Sequence, residues 1–210
     1  MKNSTDITII LDRSGSMEYI KEATIKGFNS FIQEQKHTEG NVNVSLVQFD
    51  HEYQVSYESI PVQEVKKLKN STFQPRGTTA LLDAIGTTID QTKKRFKLLD
   101  KSQRPENVLI VIITDGAENA SNKFTRNQIF KMIEKREKKS GWNFVFIGSN
   151  QDAIAEGAKF GIKMERALTF ANDEEGAIEA FASLSRSTSF MKKSNKSFAF
   201  SEMDREIQER

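Results

Sequence analysis

Apolar positions along the chain follow two rhythms. Ile7-Thr8-Ile9-Ile10-Leu11 and Val108-Leu109-Ile110-Val111-Ile112-Ile113 are β-branched and nearly all apolar, the pattern of strands buried on both faces. Val42 to Phe49 alternates apolar and polar residues for most of its length, so it reads as a strand nearer an edge. Asn143 to Ile147 is a fourth run, ending at Gly148, and Tyr53 to Tyr57 can pair with the Val42 run as a hairpin through Asp50-His51-Glu52. Helical spacing fills the intervals. Ile20, Ala23, Thr24, Gly27, Phe28, Phe31 and Ile32 recur three and four apart, and Leu81, Ile85, Thr88, Ile89, Thr92 and Phe96 make a similar stripe. Ile129, Met132 and Ile133 mark a third helix, and Ala153–Phe160 and Ala177–Leu184 two more. Strands separated by helices imply an α/β fold of the Rossmann-like, doubly wound kind. Its central sheet is expected to be mostly parallel, with helices on both faces and one antiparallel edge strand. No internal repeat stands out.

The pattern fades after Ser185. Residues 1–185 are expected to form one domain and residues 186–210 a polar, basic C-terminal tail. A flexible tail is the simpler expectation. Phe190, Phe198 and Phe200 leave a docking arm open, because a wholly solvated tail has no use for them.

Composition narrows the class. A length of 210 residues suits one compact domain. With 37% hydrophobic and 29% charged residues, the balance is that of an ordinary soluble protein. A net charge of +2 is too small to make nucleic acid the expected partner. The absence of cysteine excludes disulfides, zinc–thiolate sites and a cysteine nucleophile. Met1 to Asp6 is followed by only a short apolar run, less than a secretory signal needs. No stretch approaches the ~18 apolar residues of a membrane span. A cytoplasmic protein without membrane contact is therefore expected.

In parallel α/β sheets, ligands bind where loops converge at the carboxyl ends of strands. The first buried run leads into Asp12-Arg13-Ser14-Gly15-Ser16-Met17, and the strongest leads into Thr114-Asp115-Gly116. A third polar loop, Arg76-Gly77-Thr78-Thr79, precedes the Leu81 helix. Asp12, Ser14 and Ser16 alternate, so an extended loop turns all three toward one side. With Thr79 and Asp115 they supply five hard oxygen groups. Such a set suits Mg2+, with Mn2+ or Ca2+ as further candidates. No histidine or cysteine lies near in sequence, which argues against zinc or copper. Each loop also has a plainer explanation. Ser14, Ser16 or Thr79 could cap the helix that follows, and Asp115-Gly116 could be an ordinary turn.

Together, Asp12-Arg13-Ser14-Gly15-Ser16, Gly77-Thr78-Thr79-Ala80 and Ile113-Thr114-Asp115-Gly116 resemble the von Willebrand factor type A (vWA) domain, in its intracellular or microbial form. By element order the resemblance covers roughly residues 5–185. It implies a metal-ion-dependent adhesion site (MIDAS) in which Ser14, Ser16 and Thr79 are direct ligands. Asp12 and Asp115 would bind partly or wholly through water, and Thr79 matches better than Thr78. A metal held mostly by neutral hydroxyls keeps its positive character and an open position, so the implied partner is a protein presenting Asp or Glu.

The implied role is a protein–protein adaptor with no catalytic residues. The alternative is a metal-dependent hydrolase or phosphoryl-transfer enzyme using the same ion. A haloacid-dehalogenase-type phosphatase needs a second acid where Ser14 stands. The Gly-x-Ser-x-Gly elbow of serine hydrolases and the Gly-rich phosphate loop are both absent. Asn119 is placed to shape the rim of the site. His37 and His51 read as exposed, Trp142 as packing, and Lys131 to Lys139 as a solvated helix face.

Overall fold

A computed structural model of the chain describes residues 4–149, 152–194 and 196–208. Met1–Asn3, read above for a leader, Asn195 of the basic run and Glu209–Arg210 of the charged end lie outside these residues. Strand β1 (Ser4–Asp12) is buried along its whole length, as its unbroken apolar run predicts. Around it stand β2 (Asn41–Phe49), β3 (Tyr53–Pro61), β4 (Asn107–Thr114), β5 (Asn143–Ser149) and β6 (Ala167–Phe170), in the order β3-β2-β1-β4-β5-β6. Every neighbouring pair is parallel except β2–β3, the expected hairpin. The sheet is therefore mostly parallel with one antiparallel edge strand.

The period-two alternation of β1 sorts its side chains between two cores. Ile7, Ile9 and Leu11 join Phe28, Phe31, Phe181 and Leu184 beneath α1 (Lys21–His37) and α5 (Glu174–Ser194). Ile10 joins Ile85, Ile89, Ile129 and Ile133 beneath α2 (Leu81–Leu98) and α3 (Arg126–Ser140). Trp142 is buried there, edge-to-face on Phe96 at 5.7 Å. Helix α3 begins with a Thr125–Gln128 capping box and ends at Gly141 in the left-handed region (φ 64°). The short α4 (Ala153–Lys159) is capped by the Asp152 side chain. Helix α1 can approach α5 closely because residue 27 has no side chain: a Cβ there would stand 2.9 Å from Cγ of Phe181. Gly27→Val is expected to cost about 1–3 kcal/mol through overpacking. Urea unfolding would show it as a lower midpoint at unchanged slope.

The C-terminal residues continue this packing. Helix α5 runs past Ser185 to Ser194, and its buried face carries Ser183, Ser185, Ser187, Thr188 and Lys192. Gln35 Nε2 donates to Ser185 Oγ (3.3 Å), the Ser185 hydroxyl donates to Glu34, and Lys192 Nζ donates to Thr38. Burial pulls the Lys192 amine down to about 8. Phe198 and Phe200 enter the α1/α5 core, packed edge-to-face at 5.0 Å, while Phe190 is exposed. The Phe198 N–H donates to Asn143 Oδ1 (3.1 Å). The final helix, α6 (Glu202–Gln208), lies along β6, where Arg205 donates to the carbonyls of Ala167 (2.9 Å) and Met164 (2.7 Å). Among the described residues, no helix is long and apolar enough to cross a membrane.

Candidate metal centre

Strands β1 and β4 lie side by side in register up to Leu11 and Ile113, so the loops that leave them emerge together. Asp12 shapes the first loop. Its Oδ1 accepts the Ser14 N–H (2.6 Å) and its Oδ2 accepts the Thr114 hydroxyl of β4 (2.6 Å). Two backbone bonds bring in the second loop, from Gly15 N–H to the Gly77 carbonyl (3.2 Å) and from Arg76 N–H to the Arg13 carbonyl (2.8 Å). Thr79 is fixed from the third loop. Its N–H donates to Asn119 Oδ1 (2.8 Å), and its carbonyl accepts the N–H groups of Asn119 (3.1 Å) and Ala120 (3.2 Å). Asn119 thus shapes the rim, as expected.

Ser14 and Ser16 stand with their hydroxyls 3.2 Å apart, and Ser16 donates to Asp115 Oδ1 (2.6 Å). Gly116 reveals the space between them. A Cβ there would lie 3.2 Å from Thr79 Oγ1, 3.5 Å from Ser16 Oγ and 3.7 Å from Ser14 Oγ. Three hydroxyls therefore surround one small volume, with Asp12 and Asp115 hydrogen-bonded around it. All five residues singled out in the sequence are brought together. The capping alternative fits less well. Ser14 makes no side-chain capping bond to the 3-10 turn Gly15–Glu18, and the N-cap of α2 is Ala80, one residue beyond Thr79.

Both carboxyls are held out of water. Burial, the largest influence, pushes Asp12 up to about 6; the bonds from Thr114 and Ser14 oppose it, and the Asp115 charge adds to it. Burial likewise raises Asp115. Asp115 Oδ2 is buried with no hydrogen-bond partner among the described residues. A desolvated acid pair with an orphaned oxygen, facing three hydroxyls, is a donor set of hard oxygens that fits a small divalent cation.

Two other acidic places are different in kind. Asp50, His51 and Glu52 are close enough together to hold an ion, but the Asp50 carboxylate already receives two guanidinium groups. A cavity of about 450 Å3 lies around the amino end of β1, and there Arg95 grips Asp6 through two bonds (2.8 and 3.0 Å).

Several supporting residues gave no signal in the sequence. Glu118 accepts the N–H groups of Leu82 (2.8 Å), Ala120 (3.0 Å) and Ser121 (2.7 Å). Asp83 of α2 accepts those of Asn122 (3.0 Å), Lys123 (2.9 Å) and Phe124 (2.9 Å). These acids bind the β4–α3 loop to the start of α2, yet each reads locally as one more polar loop or helix residue.

The fold and this crest of oxygens define an open-sheet α/β domain with its site at the carboxyl ends of the central strands. The chain belongs to the von Willebrand factor type A domain family, whose model matches residues 6–185. Similar solved structures include proximal thread matrix protein 1 from the mussel byssus with a zinc-occupied MIDAS motif. It is 13% identical, with a TM-score of 0.60 over 88% of this chain and 46% of that one. The manganese-loaded TRAP protein of Plasmodium vivax is 17% identical, with a TM-score of 0.57 over 85% and 72%. The von Willebrand factor domain of a type V pili tip protein from Porphyromonas gingivalis is 13% identical, with a TM-score of 0.61 over 88% and 94%. The chain spans less than half the length of the mussel protein. At these identities the likeness is one of fold. No curated protein sequence matches the chain.

Proposed function

We propose that this domain is a metal-dependent adaptor, in which Mg2+ held by Ser14, Ser16, Thr79, Asp12 and Asp115 recruits an Asp or Glu side chain of a partner protein. The reading rests on one observation, the three hydroxyls gathered where a Gly116 side chain would stand, beside the orphaned Asp115 Oδ2. The zinc and manganese in the two related structures support a divalent ion. The all-oxygen donor set favours magnesium over softer metals. When bound, the ion supplies a positive centre that attracts a carboxylate. Ser14, Ser16 and Thr79 contribute no charge, so that attraction is preserved, while Asp12 and Asp115 orient the serines. The role is non-enzymatic, and the lack of cysteine suits a reducing cytoplasm.

Calorimetric titration with magnesium and manganese tests the site. The parent is expected to bind one ion per chain, and Asp12→Ala combined with Ser14→Ala to bind none. Equal binding by both proteins would sink the assignment. Acidic peptides immobilised as bait are expected to retain the parent in magnesium and release it in chelator. Retention in chelator would mean a different mode of binding.

A further inference from the structure

Asp50 lies in the turn between β2 and β3, fully buried although it is charged. Its Oδ2 accepts from Arg13 Nε (3.0 Å) and Arg76 Nε (2.8 Å). Its Oδ1 accepts the Glu52 N–H (2.6 Å), and its carbonyl accepts the Ala80 N–H (2.9 Å). The donors come from different parts of the site. Arg13 stands between Asp12 and Ser14, and Arg76 to Ala80 is the loop that carries Thr79. The outer ends of both guanidiniums are held as well, Arg13 by Gln54 of β3 and Arg76 by Glu52.

We propose that Asp50 is the positioning residue of the metal site: a buried anion that draws two arginines together and so fixes the Asp12–Ser16 loop against the Thr79 loop. The role presupposes the metal site proposed above. Asp12 ends β1, and from Arg13 on each loop is polar and leaves the sheet, so packing of apolar side chains alone does not set their separation. Among the described residues, the hydrogen bonds that tie them together are those of the Asp50 cluster and the backbone bonds it flanks, Gly15 to Gly77 and Arg76 to Arg13. Two aligned guanidiniums on one carboxylate are directional, charge-assisted bonds, and burial weakens their screening. Burial alone would raise the Asp50 carboxyl, but the Glu52 N–H and the two arginines outweigh it and hold the group below its ordinary value.

The same facts argue that Asp50 is not itself a metal ligand. Both of its oxygens already accept hydrogen bonds, and a cation at Asp50, His51 and Glu52 would have to displace two positive side chains. Loss of an outer support of this kind typically costs a metal site about 10–100-fold in affinity.

Asp50→Asn keeps the shape and removes the charge; Arg76→Gln removes one arm, which is half exposed, and keeps the fold testable if the first variant unfolds. Magnesium affinity is expected to fall about 10–100-fold in Asp50→Asn and less in Arg76→Gln. In chelator, the amides of Gly15, Arg76 and Ala80 are expected to exchange with deuterium faster in Asp50→Asn, and that of Gly15 in Arg76→Gln. Ile9 and Val111, in the sheet, should be unchanged.

Parent-like affinity and exchange in both Asp50→Asn and Arg76→Gln would overturn the proposal. So would two ions bound per parent chain with one lost in Asp50→Asn, which would make Asp50 a ligand. If the parent bound no magnesium, the metal reading would fall, and the exchange rates alone would decide whether Asp50 holds the loops.

Discussion

Asp12→Asn is expected to make the protein more stable in chelator at pH 7 and to abolish its stabilisation by magnesium. The Asp12 carboxyl is raised from 3.8 to about 6, chiefly by burial. Ionised at pH 7, such a group costs the folded state on the order of 3 kcal/mol. The folded chain keeps this proton between pH 3.8 and about 6, where the unfolded chain has lost it. Stability therefore falls as pH rises through that window. Asn removes the cost without breaking the local bonds. Its carbonyl can accept the Ser14 N–H, and its amide can donate to the Thr114 hydroxyl, whose proton can turn to the Gly116 carbonyl 3.0 Å away. The advantage of the variant should be full above pH 6 and vanish below about pH 4. With magnesium at 100 times its dissociation constant, the parent should gain about 2.7 kcal/mol and the variant nothing. Thermal unfolding at several pH values, with magnesium and with chelator, checks all of this. A variant less stable than the parent in chelator at pH 7 would contradict it.

Gly116→Val is expected to abolish metal binding by occupation. Its methyl groups would fill the space that the Ser14, Ser16 and Thr79 hydroxyls share. The backbone has no reason to resist, since residue 116 is not among the positive-φ glycines and its N–H bond to Thr114 (3.1 Å) is independent of the side chain. Magnesium affinity should fall by at least about 100-fold, the upper end of what loss of an outer support alone would cost. Gly116→Ala, with a single methyl, should fall between the two. Calorimetry measures the affinity, and urea unfolding in chelator should show a loss of about 1–3 kcal/mol, the cost of overpacking, with the protein still folded. Undiminished affinity in Gly116→Val would put the ion elsewhere.

Periodicity revealed most of the sheet because β1, β4 and β5 are apolar on both faces and β2 alternates. The short β6 escaped notice, since Ala167–Phe170 is too brief to establish a period. The second half of α5 escaped for a different reason. Beside Leu184 and Met191, its buried face carries Ser183, Ser185, Ser187, Thr188 and Lys192, partly matched to Gln35 and Thr38 of the α1 side. With apolar residues on that face only at Leu184 and Met191, the hydrophobic period is too sparse there to mark a helix. The three oxygen-bearing loops were legible because each follows a strand or precedes a helix that the pattern had already located. The Arg13–Asp50–Arg76 cluster was not, because its members are 37 and 26 residues from Asp50 and nothing local distinguishes them from solvated charges.

The two margins of the sheet are finished differently. On the β6 side, α6 lies alongside and Arg205 takes up the Ala167 carbonyl. On the β3 side, the strand is largely exposed from Tyr53 to Pro61. An exposed strand edge is where a ladder can be extended. Two copies meeting β3 to β3 would form a pair with a two-fold axis. Among the described residues, the β3 margin is thus the one that offers an open strand edge, while α6 and Arg205 stand at the β6 margin.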